Sequence, residues 1–499
     1  MNIYTLLDMM ASAFPDRVLC QSDDLRVDAG ALARRAGAFS RRLQDVRAAA
    51  VVYLGGNSVA LPISVFSAAL AGVPFVPLNY RLSSAQLRDV VVRHEAAAVV
   101  AAPDRADQVA LASQMVWSPE QVIAETAAES NPEDWPDDPD RVAVLLYTSG
   151  TTATPKAAIL RHRHLVSYVL GSVEFGEATA DDAALVAVPP YHIAGVANLV
   201  SNVYLGRRVV YLDRFEPDGW LKLALNERIT HAMLVPTMLG RIVDRLEESG
   251  TPPPPALRTL AYGGARMPVR VLEKALRLMP NVGFVNAYGL TETSSTVSVL
   301  TPEDHQAAMA SEDPAVRRRL GSVGRVLPTV QIEIRSETGE VVPPGAPGEI
   351  FIRGDQVSGE YVGRPSVTDT DGWFATRDRG FLDAEAYLFI EGRDDDMIIR
   401  GGENVAPAEI EEVITGHPAV ADCAVLGLSD DEWGQRIAAV VVCRHGEVAS
   451  ASDIQEWVRQ RLRGWKTPEI VEFRAELPVT STGKLLRRAL RADLEQVSR

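Results

Sequence analysis

Cysteine is scarce: Cys20, Cys423 and Cys443 are the only three in 499 residues. They show neither metal-ligand spacing nor a pairing framework, which excludes a cysteine-ligated zinc site and a disulfide scaffold and points to a reducing cytoplasm. Basic residues are the minority charge, 50 Lys and Arg against 66 Asp and Glu, a formal net charge of −16. That excludes a general nucleic-acid or anionic-membrane surface, though not a local basic patch. No apolar run reaches the roughly 20 residues a membrane helix needs, because glycine, proline or charge punctuates each one. No basic segment followed by an apolar core opens the chain, so no secretory signal is expected. Internal repeats and low-complexity tracts are also missing. What remains is an ordinary globular composition, 46% hydrophobic and 23% charged, in a length that suits about two to four domains.

Through roughly the first 330 residues, strand-like runs alternate with amphipathic helical stretches. The runs are Ala49–Leu54, Val73–Pro77, Ala97–Ala101, Ala183–Val188, Arg208–Leu212, His231–Val235 and Thr259–Tyr262. This alternation predicts layered α/β architecture with parallel or mixed sheets. The stretches Glu129–Asp140 and Thr251–Pro255 read as surface connectors. From about Ser322 the pattern turns to short strands, with Ile332–Arg335 and Glu349–Arg353 forming a hairpin-like β-rich unit around a turn at Gly339. The last hundred residues read as a small α+β unit. Its helix Ala408–Thr415 carries Ile410, Val413 and Ile414 on one face, and Val420–Leu426 and Ile437–Val442 are its strands. A second helix is expected after an N-cap at Ser452, burying Ile454, Val458 and Leu462.

The most informative stretch is Tyr147-Thr148-Ser149-Gly150-Thr151-Thr152-Ala153-Thr154-Pro155-Lys156. An apolar run, Arg141–Leu146, reads as a buried strand that breaks into this hydroxyl-rich loop. A helical pattern at Leu160, Leu165 and Val169 follows. Hydroxyls and free backbone N–H groups at such a turn suit polyphosphate oxygens, and Lys156 adds a point charge. The second glycine and the Lys-Ser/Thr ending of a Walker loop are absent.

The loop resembles the phosphate loop of the acyl-adenylate-forming (AMP-binding) superfamily, and five further strings follow in that family's order. They are Tyr191-His192-Ile193-Ala194-Gly195, Tyr262-Gly263-Gly264-Ala265 and Asn286-Ala287-Tyr288-Gly289-Leu290-Thr291-Glu292-Thr293. Next come Gly392-Arg393-Asp394-Asp395-Asp396, which runs on to Ile399-Arg400-Gly401-Gly402-Glu403-Asn404, and finally Pro478-Val479-Thr480-Ser481-Thr482-Gly483-Lys484. The resemblance spans essentially the whole chain and is strongest to acyl- and aryl-CoA synthetases. It implies an α/β multidomain protein with a large N-terminal domain, residues 1–393, built from two layered subdomains plus a β-rich one. A hinge at 394–396 would lead to a small mobile α+β domain, 397–499.

The resemblance also implies roles. ATP and Mg²⁺ would activate a carboxylic acid as an acyl-AMP, and CoA would then take the acyl group. Thr148, Ser149, Gly150, Thr151 and Thr152 would cradle the β/γ-phosphates with Lys156 nearby. Thr291 would donate to the α-phosphate, and Glu292 would hold the metal. Gly263, Gly264 and Ala265 would lie along the adenine, with Tyr288 stacked on it, Asn286 at its polar edge and Ala287 and Gly289 beside it. Asp378 would accept the ribose hydroxyls and Arg393 donate to them. Lys484 would bridge carboxylate and α-phosphate during adenylation, Gly402 would let the pantetheine arm pass, and Asp395 would be the pivot. His192 joins the catalytic set, and His192, Ala194, Asn198, Gly263 and Gly264 would line the acid pocket, favouring a planar or moderately bulky acid.

Two positions depart from the family pattern: Ala153 and Arg377 both stand where glycine is usual. The acceptor stays open between CoA and a carrier-protein phosphopantetheine or another nucleophile, and a non-catalytic nucleotide-binding relic is a third reading. Monomer and homodimer are both left open.

Overall fold

The computed structural model describes all residues except 110–114, 128–131, 133, 149–155, 401–402, 431–432, 445, 463, 480–484 and 498–499. Among the described residues the strands assemble into sheets of six, nine, four, two and three strands. The six-stranded sheet runs Val116–Trp117, Ala97–Ala101, Ala50–Leu54, Phe75–Pro77, Val142–Thr148 and Lys156–Arg161 in spatial order. Its neighbours pair in parallel except the last two, which pair antiparallel on either side of the phosphate loop. Leu160 therefore lies on a strand, not on the expected helix, which begins at His162. Fully buried Leu160 faces the core from that edge strand.

The nine-stranded sheet has six parallel strands at its centre: Val18–Ser22, Arg208–Tyr211, Ala183–Val186, His231–Leu234, Thr259–Gly263 and Gly283–Leu290. Antiparallel strands flank them, Leu25–Asp28 on one side and Ser295–Leu300 then Arg325–Val326 on the other. One large apolar core joins the two sheets. It takes Val51, Tyr53, Val144 and Leu146 from one, Leu19, Val186, Val209 and Tyr211 from the other, and the helices Ile3–Ala13, Ala29–Asp45, Ala60–Ala71 and Ile193–Leu205 between them. Strands buried on both faces read as continuous apolar runs, which is why they stand out in the sequence.

The four-stranded sheet is the β-rich unit, Gln331–Arg335, Gly348–Arg353, Phe374–Leu382 and Leu388–Arg393, antiparallel throughout. The glycine turn forms at Gly339, φ 84°, but the partner strand returns only at Gly348, after residues 336–347. Pairing along Phe374–Leu382 steps from Phe351↔Ala375 to Glu349↔Arg379, so residues 376–378 stand against Ile350 alone. Arg377 occupies the left-handed position of this bulge, φ 62°, where glycine costs nothing and a side chain costs roughly 1–2 kcal/mol. The bulge turns the next residue, Asp378, inward, and its N–H donates to Thr376 Oγ1 at 3.0 Å.

After Arg393 a short 3₁₀ turn, Asp394–Asp396, leads to the two-stranded ribbon Ile398–Arg400 and Glu403–Val405. The C-terminal lobe is built on Val420–Asp430, Gly434–Cys443 and Ile470–Phe473. Its strands alternate faces with the period of two. Cys423 and Val425 pack with Ile410, Ile414, Ile454 and Val458, whereas Ala424, Leu426 and Leu428 pack with Leu490 and Leu494. The helix Ala451–Arg459 is capped by Ser450, not Ser452. Asp453 N–H donates to Ser450 Oγ at 3.2 Å while the Asp453 carboxylate accepts from Ser450 N–H at 2.9 Å. This reciprocal box needs an acid three residues after the cap, and Asp453 supplies it. Leu462 lies past the helix end. Arg266 joins the lobe to the body, donating to Ala408 O and to Glu412, each at 2.6 Å. No helix among the described residues is long and apolar enough to cross a membrane.

The strained bulge gives a direct stability test. Arg377→Gly and Arg377→Ala both remove the guanidinium, but only glycine is relaxed at φ 62°. The glycine variant should be the more stable by about 1 kcal/mol in urea unfolding, the reverse of the usual order within strands and helices.

Candidate active site

Parallel strands present ligands at their carboxyl ends, where the following loops gather. Gly263 ends one central strand, Gly289 and Leu290 end its neighbour, and Tyr191 and His192 lie in the loop after Ala183–Val186. Gly263 is fixed by the sheet itself: a Cβ there would sit 2.3 Å from Ala287 O. Gly264, by contrast, is exposed, has φ 81°, and would bring a Cβ near only one side-chain atom, of Val235, at 3.9 Å. Of the glycine pair, Gly264 is the one whose backbone lies open for a flat ring. Ala265 is half-buried beside it.

Tyr288, Asp378 and Arg393 meet. The Tyr288 hydroxyl donates to Asp378 Oδ2 at 2.7 Å, and Arg393 Nε lies 3.4 Å from Asp378 Oδ1. Asp378 and Arg393 are register partners on adjacent strands, so the sheet itself sets the pair. Burial and the Asp378 charge push the Tyr288 phenol well above its ordinary range, so it remains a donor. The buried Asn286 amide donates one of its two N–H groups to Ser322 O at 3.0 Å, which holds the side chain in one orientation. Its neighbours Ala287 and Gly289 keep partial exposure.

Thr291 and Glu292 occupy a single 3₁₀ turn, Thr291–Thr293, at the end of Gly283–Leu290. The Tyr361 hydroxyl donates to Glu292 Oε1. The second Glu292 oxygen accepts from no described residue. A lone carboxylate with one oxygen held and one open suits Mg²⁺, which takes one or two carboxylates and completes its shell with phosphate oxygens and water. Tyr361 feels the positive fields of both Arg377 and Arg393, so the Glu292 and Asp378 groups share one charged neighbourhood.

Lys156 is half-buried at the start of its strand, and Thr148 is its register partner on the other side of the loop. Ser149, Gly150, Thr151, Thr152 and Ala153 lie outside the described residues, as do Gly402 and Lys484. The side chains of Thr148 and Asp395 do so as well.

The helix Ile193–Leu205 is buried from Gly195 onward except at Asn198. Ala194 and Asn198, four residues apart, thus share the face that opens from the core. Asn202 holds the Asn198 amide in one orientation, its Nδ2 donating to Asn198 Oδ1 at 2.9 Å and Asn198 O at 2.8 Å. Arg207 Nη1 donates in turn to Asn202 Oδ1 at 3.2 Å. With its oxygen occupied, Asn198 presents its N–H₂ group, which donates to no described residue. His192 caps this helix without a side-chain bond, and its Nε2 is buried with no described partner. Burial, reinforced by the Arg81 charge, lowers its pKa to about 4, so the imidazole is neutral at pH 7. A separate polar cavity of about 660 Å³ behind Ser358 and Glu360 holds none of the residues expected from the sequence.

A profile of AMP-binding enzymes matches residues 7–362, and one of the AMP-binding enzyme C-terminal domain matches residues 409–484. The chain belongs to the AMP-binding enzyme family. Among its relatives, a feruloyl-CoA synthase from an Amycolatopsis species is 35% identical over 449 residues, 88% of each chain. An indoleacetate–CoA ligase from Aromatoleum aromaticum is 32% identical over 453 residues, 87% of this chain and 86% of the ligase. Among solved structures, the O-succinylbenzoate coenzyme A synthetase of Bacillus subtilis in complex with ATP and magnesium ion superposes with TM-score 0.82. It is 29% identical and covers 97% of this chain and 98% of its own. Like these adenylate-forming enzymes, the chain has a large N-terminal domain and a small C-terminal one.

Sequence reasoning missed Tyr361, Asn202 and Arg207. Tyr361 sits in an unremarkable Gly359-Glu360-Tyr361 run. For Asn202, the four-residue spacing from Asn198 inside an apolar helix was a usable signal, since a buried amide needs partners.

The Tyr288–Asp378 bond gives a prediction. Tyr288→Phe keeps the ring but leaves a buried carboxylate short of one donor, which costs about 1–3 kcal/mol. Urea unfolding should show a loss of about that size in stability.

Proposed function

We propose that this AMP-binding enzyme joins an aryl carboxylic acid to CoA through an acyl-AMP. A carboxylate oxygen attacks the α-phosphorus of ATP, a P–O bond forms, and pyrophosphate departs with the electron pair of the bond that breaks. The CoA sulfur then attacks the acyl carbon, and AMP leaves. The observation that carries the reading is the Tyr288–Asp378–Arg393 cluster, a ribose-sized set of acceptor and donor beside the Glu292 turn. Tyr288 offers a ring face to the adenine, Asp378 accepts from ribose hydroxyls, and Arg393 donates to them. Thr291 lies where it can donate to the α-phosphate. Mg²⁺, when held by Glu292, supplies charge neutralisation for the departing pyrophosphate. The phosphate loop from Thr148 to Thr152, with Lys156, would hold the β/γ end.

For the acid, Ala194 and Gly264 leave room for a planar group. The neutral His192 imidazole and the outward Asn198 amide are polar without charge. An amide N–H held outward favours an acid with an oxygen acceptor, such as a ring hydroxyl or methoxy group, over a bare hydrocarbon chain. Two of the relatives above are named for aromatic acids, feruloyl and indoleacetate, which supports the same class.

The hinge is read at residues 394–396, which form a 3₁₀ turn, with Asp395 as pivot between domains 1–393 and 397–499. Rotation there would exchange Lys484, serving adenylation, for Gly402, serving the thiol step. CoA is the acceptor favoured by the named relatives, with a carrier-protein pantetheine as the alternative. The cytoplasm is the natural compartment, since Cys20, Cys423 and Cys443 are all unpaired.

Release of pyrophosphate across aryl, short-chain, medium-chain and dicarboxylic acids tests the class. CoA, a phosphopantetheinylated carrier and an amine, offered in parallel, test the acceptor; exclusive use of the carrier would overturn CoA. Asn198→Leu should lower kcat/KM for a hydroxylated aryl acid by about tenfold or more relative to its unsubstituted analogue. Lys484→Ala should suppress acyl-AMP formation while supplied acyl-AMP is still converted to thioester, and Gly402→Leu should do the reverse. Equal loss of both half-reactions in both variants, without unfolding, would refute alternation.

A further inference from the structure

The turn carrying Glu292 is followed by two non-glycine residues at positive φ, Ser294 at 54° and Ser295 at 109°. Such conformations cost of order 1–3 kcal/mol each and persist only where surrounding contacts over-determine them. Here one segment, Gln356–Tyr361, supplies those contacts. Buried Gln356 donates to Thr293 O at 2.9 Å and Thr296 O at 2.8 Å, and Ser358 N–H donates to Glu292 O at 2.7 Å. Tyr361 completes the set on the Glu292 carboxylate.

The same segment grips the strand that leaves the phosphate loop. Ile159 N–H donates to Glu360 O at 2.9 Å, Val362 N–H to Ala157 O at 3.0 Å, and Ser358 Oγ to Ile159 O. Arg161 adds a two-pronged pair to Glu360, Nε to Oε1 at 2.8 Å and Nη2 to Oε2 at 2.6 Å. The segment is therefore a strap that ties two pieces of the active site, far apart in sequence, into one rigid unit.

We propose that Tyr361 is the positioning residue of the metal site: its hydroxyl fixes one oxygen of Glu292 so that the other faces the cation carried by the nucleotide. The assignment rests on Glu292 being the metal-binding carboxylate. A free glutamate side chain rotates, and a hydrogen bond to one oxygen sets both the carboxylate plane and which oxygen is presented. Partners of this kind typically govern 10–100-fold in metal affinity. Tyr361→Phe removes only the hydroxyl and keeps the ring. The strap's backbone bonds to Ala157, Ile159 and Glu292 do not pass through the Tyr361 side chain.

The test measures Mn²⁺ affinity in the full-length enzyme saturated with a non-hydrolysable ATP analogue, by water-proton relaxation. Tyr361→Phe should weaken Mn²⁺ binding by about tenfold, with the metal-free affinity for the analogue and the thermal midpoint retained. Glu292→Gln should weaken it at least as much. Ser358→Ala, which loosens the strap but leaves the hydroxyl in place, should stay within about twofold of wild type. If Glu292→Gln binds Mn²⁺ normally, the reading of Glu292 falls and the proposal falls with it. If Glu292→Gln weakens binding and Tyr361→Phe does not, Glu292 stands and the proposal is overturned. Equal weakening in Ser358→Ala and Tyr361→Phe would also overturn it, because any loosening of the strap would then suffice.

Discussion

Asp378 is the point at which the four-stranded and nine-stranded sheets meet. Its carboxylate takes the Tyr288 hydroxyl from the nine-stranded sheet and the Arg393 guanidinium from the last strand before the C-terminal lobe. Asp378 itself sits in the four-stranded sheet, turned inward by the bulge at 376–378. A largely buried carboxylate without partners would be expensive, and the Tyr288 hydrogen bond and the Arg393 charge 3.4 Å away offset that cost. The arrangement makes the β-rich unit a joint rather than an appendage. It fixes the orientation of Arg393, and the residue after Arg393 begins the turn into the lobe.

The site's other polar groups follow the same economy, each held by a neighbour that leaves one face free. Glu292 has one oxygen taken by Tyr361, Asn198 has its oxygen taken by Asn202, and Arg207 backs Asn202. Groups restrained in this way present one oxygen or one N–H without a large entropic cost on binding. His192 achieves a similar end through burial, which keeps the imidazole uncharged. On the proposed reading of the acid pocket, a neutral imidazole beside an oriented amide discriminates by shape and hydrogen bonding, where a charged one would attract any carboxylate.

The sequence was most legible where secondary structure and periodicity coincide. The strands Ala50–Leu54, Phe75–Pro77, Ala97–Ala101, Ala183–Val186, Arg208–Tyr211, His231–Leu234 and Thr259–Gly263 stood out as apolar runs within one or two residues of their ends, whereas Val18–Ser22 and Gly283–Leu290 did not. In the C-terminal lobe the runs Val420–Leu426 and Ile437–Val442 lie within the longer strands Val420–Asp430 and Gly434–Cys443. Reading failed where tertiary pairing overrides local pattern. Leu160 continues a plausible helical period with Leu165 and Val169, but the chain first completes an edge strand against Val142–Thr148. The cap moved from Ser452 to Ser450 because the acid that answers a capping box lies at Asp453. The resemblance named Asp378, Arg393, Glu292 and Tyr288, and the fold brings Tyr288, Asp378 and Arg393 together. Tyr361 could not be named from the sequence, since it acts on a residue rather than on a ligand, and Asn202 was marked only by its four-residue spacing from Asn198.

Arg377 shows how far a family pattern can be bent without breaking the site. The bulge needs a left-handed residue, and the chain keeps that conformation with arginine in it. The backbone geometry, set by pairing on both sides through Ala375 and Arg379, is therefore stronger than the local preference of the residue. Its consequence is electrostatic rather than structural. An exposed guanidinium now stands one residue from Asp378, and its field reaches the Tyr361 hydroxyl. At a site where two anions must be brought together, an added positive charge at the rim lowers the work of assembly. On the proposed reading of the site, strain at one backbone position is exchanged for a more favourable potential at the phosphates. A relaxed glycine in the same bulge would leave that potential weaker.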